Sequence, residues 1–125
     1  MKRYLTLLVI AVMGLELGSS QTKIALQNAG ASIGDTVKIC DKITATNFLQ
    51  HEPGRPTYLT LASDNTEQQL TIVIKGESRR RFDYKPEKDL LNRSVCVTGK
   101  LESVDGKLQI VINKQDDINI VDDVK

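Results

Sequence analysis

The side chains best suited to chemistry gather in one stretch. Arg79-Arg80-Arg81 is followed at once by Phe82, Tyr84 and Lys85, the densest basic run with interleaved aromatics in the chain. Guanidinium groups beside rings can hold a phosphate backbone and stack on bases. The competing account is a solvated connector whose Phe82 plugs the end of the core. From Lys75 to Lys100 eight basic residues stand against four acidic ones, while the segments on either side carry a slight acidic excess. The cations therefore form a local patch rather than a bulk charge. Other candidates are thinner. His51-Glu52 has no second His and no Cys nearby, which leaves it without metal or acid–base partners and fits an exposed loop. Asp116-Asp117 and Asp122-Asp123 match no calcium-loop spacing and read as an acidic tail. Asp83 near Arg79 and Arg81 is the one carboxylate–arginine grouping of the kind a calcium-dependent nuclease needs, and it lacks further partners. No catalytic residue, metal site or cofactor is expected.

Composition narrows the classes further. The chain has 125 residues, 40% apolar, 26% charged and 4% aromatic, so it holds at most one ordinary domain and excludes a multi-domain enzyme. Seventeen Lys and Arg against sixteen Asp and Glu give +1, too balanced for polyanion binding by bulk charge. Two cysteines, one histidine and no tryptophan disfavour an all-protein zinc site.

The N-terminus has the layout of an export signal. Lys2 and Arg3 precede an apolar run from Leu5 to Leu15, and Gly18 and Ser20 occupy the small positions that a signal peptidase reads. The run is well short of the roughly 20 residues of a spanning helix, and no Cys follows it for a lipid anchor. The expected division is a signal peptide at 1–20 with cleavage before Gln21, a lead-in at 21–34, a domain at 35–121 and an acidic tail at 122–125. The competing account of the apolar run is a buried N-terminal helix. Without the leader the chain carries fifteen basic and fifteen acidic residues. Export makes the chain periplasmic or secreted.

The elements that must position these residues are mainly strands. From Thr36 the pattern has period two, with Val37, Ile39, Ile43 and Ala45 on one phase and Lys38, Lys42, Thr44 and Thr46 on the other. Pro53, Gly54 and Pro56 break the ladder into a loop. Tyr58 to Ala62 resumes it with Leu59 and Leu61 inward, and Leu70, Ile72 and Ile74 are the inward set of a third strand. Pro86 to Leu91 reads as one short helix with proline in its first turn. Val95, Val97 and Leu101 mark a fourth strand, Val104-Asp105-Gly106-Lys107 a tight turn, and Leu108, Ile110 and Ile112 a fifth. Ile118, Ile120 and Val121 are able to dock on a sheet edge. Three strands, a short helix and two strands is the order of a five-stranded Greek-key barrel, the OB-fold. The fold class expected is thus all-β.

From about Gly34 to Ile120 the chain resembles secreted bacterial OB-fold proteins of the nucleic-acid-binding type, related in fold to anticodon-binding barrels. The likeness is carried by Val37 to Cys40, Gly54 to Leu61, Leu70 to Ile74, and above all Val95-Cys96-Val97-Thr98-Gly99-Lys100-Leu101 with Gly106 to Ile110. It implies ligand binding on the outward face of the second and third strands, flanked by two loops. Here that face is Tyr58, Thr60, Thr71, Val73 and Lys75, with Arg55 in one loop and Lys107 in the other. With Arg79, Arg80 and Arg81, these residues other than Val73 are the candidate nucleic-acid contacts, although Tyr58 also suits a strand face for packing alone. In such a barrel the first and fourth strands are antiparallel neighbours, so Cys40 and Cys96, both on the polar phase, are expected to form a disulfide in an exported chain, the alternative being two reduced thiols. The function expected is an exported, non-enzymatic module for single-stranded nucleic acid or a similar oligomer. A periplasmic protein-interaction or small-ligand module is the alternative, and the oligomeric state stays open.

Overall fold

The computed structural model describes residues 22–64 and 67–121. The leader assigned to 1–20 and the acidic tail at 122–125 lie outside the described residues. Eight strands are present among those described: β1 (Thr22–Ile24), β2 (Thr36–Phe48), β3 (Thr57–Ala62), β4 (Gln69–Ile74), β5 (Ser94–Lys100), β6 (Glu102–Val104), β7 (Lys107–Ile112) and β8 (Ile118–Ile120). Two short helices, α1 (Gly76–Arg79) and α2 (Pro86–Asp89), join β4 to β5. The strands make one sheet in the order β6-β7-β4-β3-β2-β5-β8, with β1 parallel to β2.

Alternation explains most of this sheet. In β3 the inward residues Thr57, Leu59 and Leu61 are fully buried while their neighbours are half-exposed. Ile39, Ile43, Leu70, Ile72, Ile74, Leu101, Ile110 and Ile112 complete the interior, each contributing about 1.5–3 kcal/mol of apolar burial. Asp105 (φ 54°) and Gly106 (φ 81°) supply the two left-handed residues of a tight β6–β7 hairpin that pairs Val104 with Lys107.

Three expectations need correction. The first strand is longer than its phase suggests, because the register slips between Ile43 and Ala45 and leaves Thr44 as an extra residue. Beyond this bulge the faces exchange: Ala45 is exposed, while Thr46 and Phe48 turn inward to half-buried positions. The bulge lies where β2 changes partners, from β5 at Thr36–Lys42 to β3 at Lys42–Phe48. The lead-in assigned to 21–34 carries β1 on the sheet and a 3₁₀ segment at Leu26–Ser32 that buries Leu26 and Ala29.

Second, the helix expected at Pro86 to Leu91 is present as α2, and a further helix, α1, precedes it. Third, the five-stranded Greek-key barrel is met as one larger sheet that backbone pairing does not close. The predicted fourth strand breaks at Leu101, whose N–H donates to the Asp35 carbonyl at 2.9 Å and whose carbonyl accepts from Gly34 N–H at 2.7 Å. That anchor holds β5 on β2 and releases β6 to β7, and no ladder joins β5 to β7. The two strands approach through side-chain packing instead, since a Cβ on Gly99 would lie 2.5 Å from Ile110 Cγ2.

Cys40 and Cys96 are directly opposite each other in the β2–β5 ladder and form a disulfide, with an S–S distance of 1.98 Å. The apolar tail docks as expected: β8 pairs with β5, burying Ile118 and leaving Ile120 exposed.

Candidate nucleic-acid interface

The outward face of β3 and β4 carries Tyr58, Thr60, Thr71 and Val73, with Lys75 just beyond the end of β4. Tyr58 is opposite Val73 and Thr60 opposite Thr71. Parallel pairing with β7 adds Gln109 beside Thr71 and Val111 beside Val73. Alternation alone could not supply these two neighbours, because it gives each strand's faces but not which strand lies alongside. With strands about 4.8 Å apart and about 3.3 Å per residue, the platform measures roughly 10 Å across the three strands and roughly 13 Å from Thr71 to Lys75.

Each end of the platform opens into a depression. At one end Tyr58, Thr71, Val104 and Lys107 line about 330 Å³. At the other, where β3 begins and β4 ends, Arg55, Lys75, Arg80 and Glu77 surround about 710 Å³ over Val73. Three of the residues expected to contact ligand, from the β2–β3 loop, the end of β4 and the end of α1, therefore share one open pocket.

The loop and helix that make this pocket are fastened together. Gly76 N–H donates to the Gly54 carbonyl at 2.9 Å, and a Cβ on Gly76 would lie 2.6 Å from the same oxygen. Only glycine permits that approach. Arg55 N–H donates to the Glu52 carbonyl at 2.9 Å and closes the turn. Gly54 (φ 81°) and Arg55 (φ 43°) are both left-handed. For an arginine that conformation costs roughly 1–2 kcal/mol. The other non-glycine residues with positive φ among the described residues, Asn92 and Asp105, are of types that tolerate it.

The arginine run divides. Arg79 is half-buried and held by two hydrogen bonds to the Glu87 carboxylate, Nε to Oε1 at 3.1 Å and Nη2 to Oε2 at 2.6 Å. Its guanidinium also lies 3.9 Å from the centroid of the Phe48 ring. Burial pushes the Glu87 carboxyl up, but the Arg79 hydrogen bond, its own backbone and the charges of Arg79 and Lys88 together hold it below its usual value. Thr46 Oγ1 donates to the Glu87 carbonyl at 2.8 Å and ties the same helix to β2. Arg79 is thus a clasp between α1, α2 and β2, while Arg80 and Arg81 are exposed.

Phe82 is buried at 8% exposure and meets Tyr84 edge to face at 5.5 Å. Burial, with the negative charge of Asp89, raises the Tyr84 hydroxyl above its usual value. Lys107 is exposed near the far depression. Among the described residues, His, Cys, Asp and Glu form no metal-holding group of three, and no helix is long and apolar enough to cross a membrane. Sequence reasoning missed the Arg79–Glu87–Phe48 clasp. Its one local signal was Glu87 in the first turn of the proline-led helix.

Comparison with solved structures gives the architecture its place. Asparaginyl-tRNA synthetase from Pyrococcus horikoshii superposes with a TM-score of 0.55 at 13% identity, over 82% of this chain and 24% of that one. The Entamoeba histolytica enzyme gives 0.51 at 13% identity, over 84% and 24%. The S. pombe Stn1-Ten1 complex gives 0.50 at 20% identity, over 70% and 59%. The fold is OB-like. This OB-like chain spans about a quarter of each synthetase chain, and at these identities the likeness concerns fold alone. No family model and no curated protein matches the sequence.

Proposed function

We propose that this OB-like chain is an exported, non-enzymatic module that binds single-stranded nucleic acid, or a similar oligomer, along the β3–β4–β7 platform. The observation that carries this is the convergence of Arg55, Lys75 and Arg80 on one open pocket beside the Tyr58 platform. Cations track the phosphates, and the Tyr58 ring offers one stacking surface, worth about 1–3 kcal/mol per base. Export is supported by the leader pattern of Lys2, Arg3, Leu5 to Leu15, Gly18 and Ser20, and by the Cys40–Cys96 bridge, a bond that persists in oxidising compartments.

The test is fluorescence anisotropy of the purified, oxidised chain with labelled single-stranded DNA and RNA. If Arg55, Lys75, Arg80, Arg81 and Lys107 each neutralise a phosphate, log K falls with log salt at a slope of about −3.5, a loss of about 100-fold between 50 and 200 mM. The double variant Arg80→Ala/Arg81→Ala should flatten that slope by about 1.4. Absence of binding at 50 mM salt sinks the proposal. Binding of a protein or small ligand that ignores both salt and these arginines would assign the platform to a periplasmic interaction module instead.

A further inference from the structure

Resting on the function proposed above, we infer that the pocket at Arg55 is a subsite for a phosphomonoester, the group that ends a nucleic-acid strand, rather than for an internal phosphodiester. Charge complementarity is the first support. Arg55, Lys75 and Arg80 with Glu77 leave the pocket at +2, which matches the −1.5 to −2 of a phosphomonoester near pH 7 and exceeds the single charge of a diester. Position is the second. The pocket lies where the platform runs into the β2–β3 loop and α1, which the Gly76-to-Gly54 hydrogen bond joins into one wall. A nucleic-acid strand laid along β3 and β4 would bring its end against that wall.

The third support is the backbone of Arg55. Of the three non-glycine residues with positive φ among the described residues, it alone is of a type that pays for the conformation. Glycine or asparagine would close the same turn more easily, so the position is explained by what the guanidinium does, and a planar fork of donors fits phosphate oxygens. Val73 and the prolines Pro53 and Pro56 give the pocket apolar lining, which strengthens ionic contacts made above it.

The experiment compares one oligonucleotide bearing a 5′-phosphate, a 3′-phosphate or only hydroxyl ends, with inorganic phosphate and a mononucleotide as competitors. One phosphorylated end should bind about tenfold tighter than the hydroxyl-ended strand. The advantage should fade below about pH 6, where the monoester takes up its second proton. In Arg55→Gly the ratio of phosphate-ended to hydroxyl-ended affinity should fall to near one, and glycine accepts the left-handed backbone, so the fold is kept; Lys75→Gln should lower the same ratio.

Equal, salt-sensitive affinity for both kinds of end overturns the subsite and leaves the proposed function standing. A phosphate-end advantage that survives both variants overturns it as well, since the group is then held elsewhere. Arg55-dependent binding of phosphate or mononucleotide with no oligonucleotide binding keeps the subsite, assigns it to a small phosphomonoester and removes strand binding. No binding of any of these probes overturns both.

Discussion

Removing the Cys40–Cys96 bridge should cost this protein a large part of its stability. The two cysteines are 56 positions apart, and their bridge encloses the end of β2, β3, β4, both helices and the start of β5. Cross-linking a loop of that size removes chain entropy from the unfolded state worth about 4 kcal/mol. Domains of this size are stable by about 5–15 kcal/mol in all, so the effect is a major fraction. The assay is urea unfolding of the oxidised chain against Cys40→Ala/Cys96→Ala, which leaves no thiol to react. With an m-value of about 1–2 kcal/mol per molar, the midpoint should fall by about 2–4 M. The variant's m-value should also rise, because its unfolded chain is freer to expand. A loss below about 1 kcal/mol with an unchanged m-value would refute the claim that the bridge acts by restraining the unfolded chain.

Other changes test the clasp, the core and the pocket wall. Glu87→Gln should lose about 1.5–3 kcal/mol at neutral pH, because it uncouples Arg79 from a charged partner. The folded-state value of Glu87 is depressed, so its contribution is present above the unfolded value near 4.3 and is lost as pH falls through the folded value. The stability gap between the protein and Glu87→Gln should therefore be constant from about pH 6 to 8 and shrink below about 4.3. Thr57→Val should gain about 1 kcal/mol in urea unfolding, since Thr57 is fully buried and its Oγ1 has no hydrogen-bond partner among the described residues. Gly76→Ala should lose about 1–3 kcal/mol, because the new methyl presses on backbone that cannot give way, and in the same variant oligonucleotide affinity should fall as the pocket wall opens.

Period-two patterning by itself determined β3, β4, β7 and the first half of β2, because a half-buried strand writes its two faces into adjacent residues. The Asp105-Gly106 hairpin was legible for the same reason, as left-handed turn chemistry is local. Cys40 and Cys96 could be paired because both lay on one phase of strands that an OB-type order makes neighbours.

Tertiary structure decided the rest. The bulge at Thr44 reversed the faces of Ala45, Thr46 and Phe48, a change set by where β2 exchanges β5 for β3 rather than by any residue in the run. The open sheet follows from Leu101 bonding to Gly34 and Asp35, partners far away in the chain. Three adjacent arginines look alike in sequence, yet Arg79 is claimed by Glu87 and Phe48 while Arg80 reaches the pocket with Arg55 and Lys75. Hydrophobic alternation is a property of neighbours along the chain. Which cation is held in a half-buried clasp and which lines the open pocket depends on residues that only folding brings within a few ångströms.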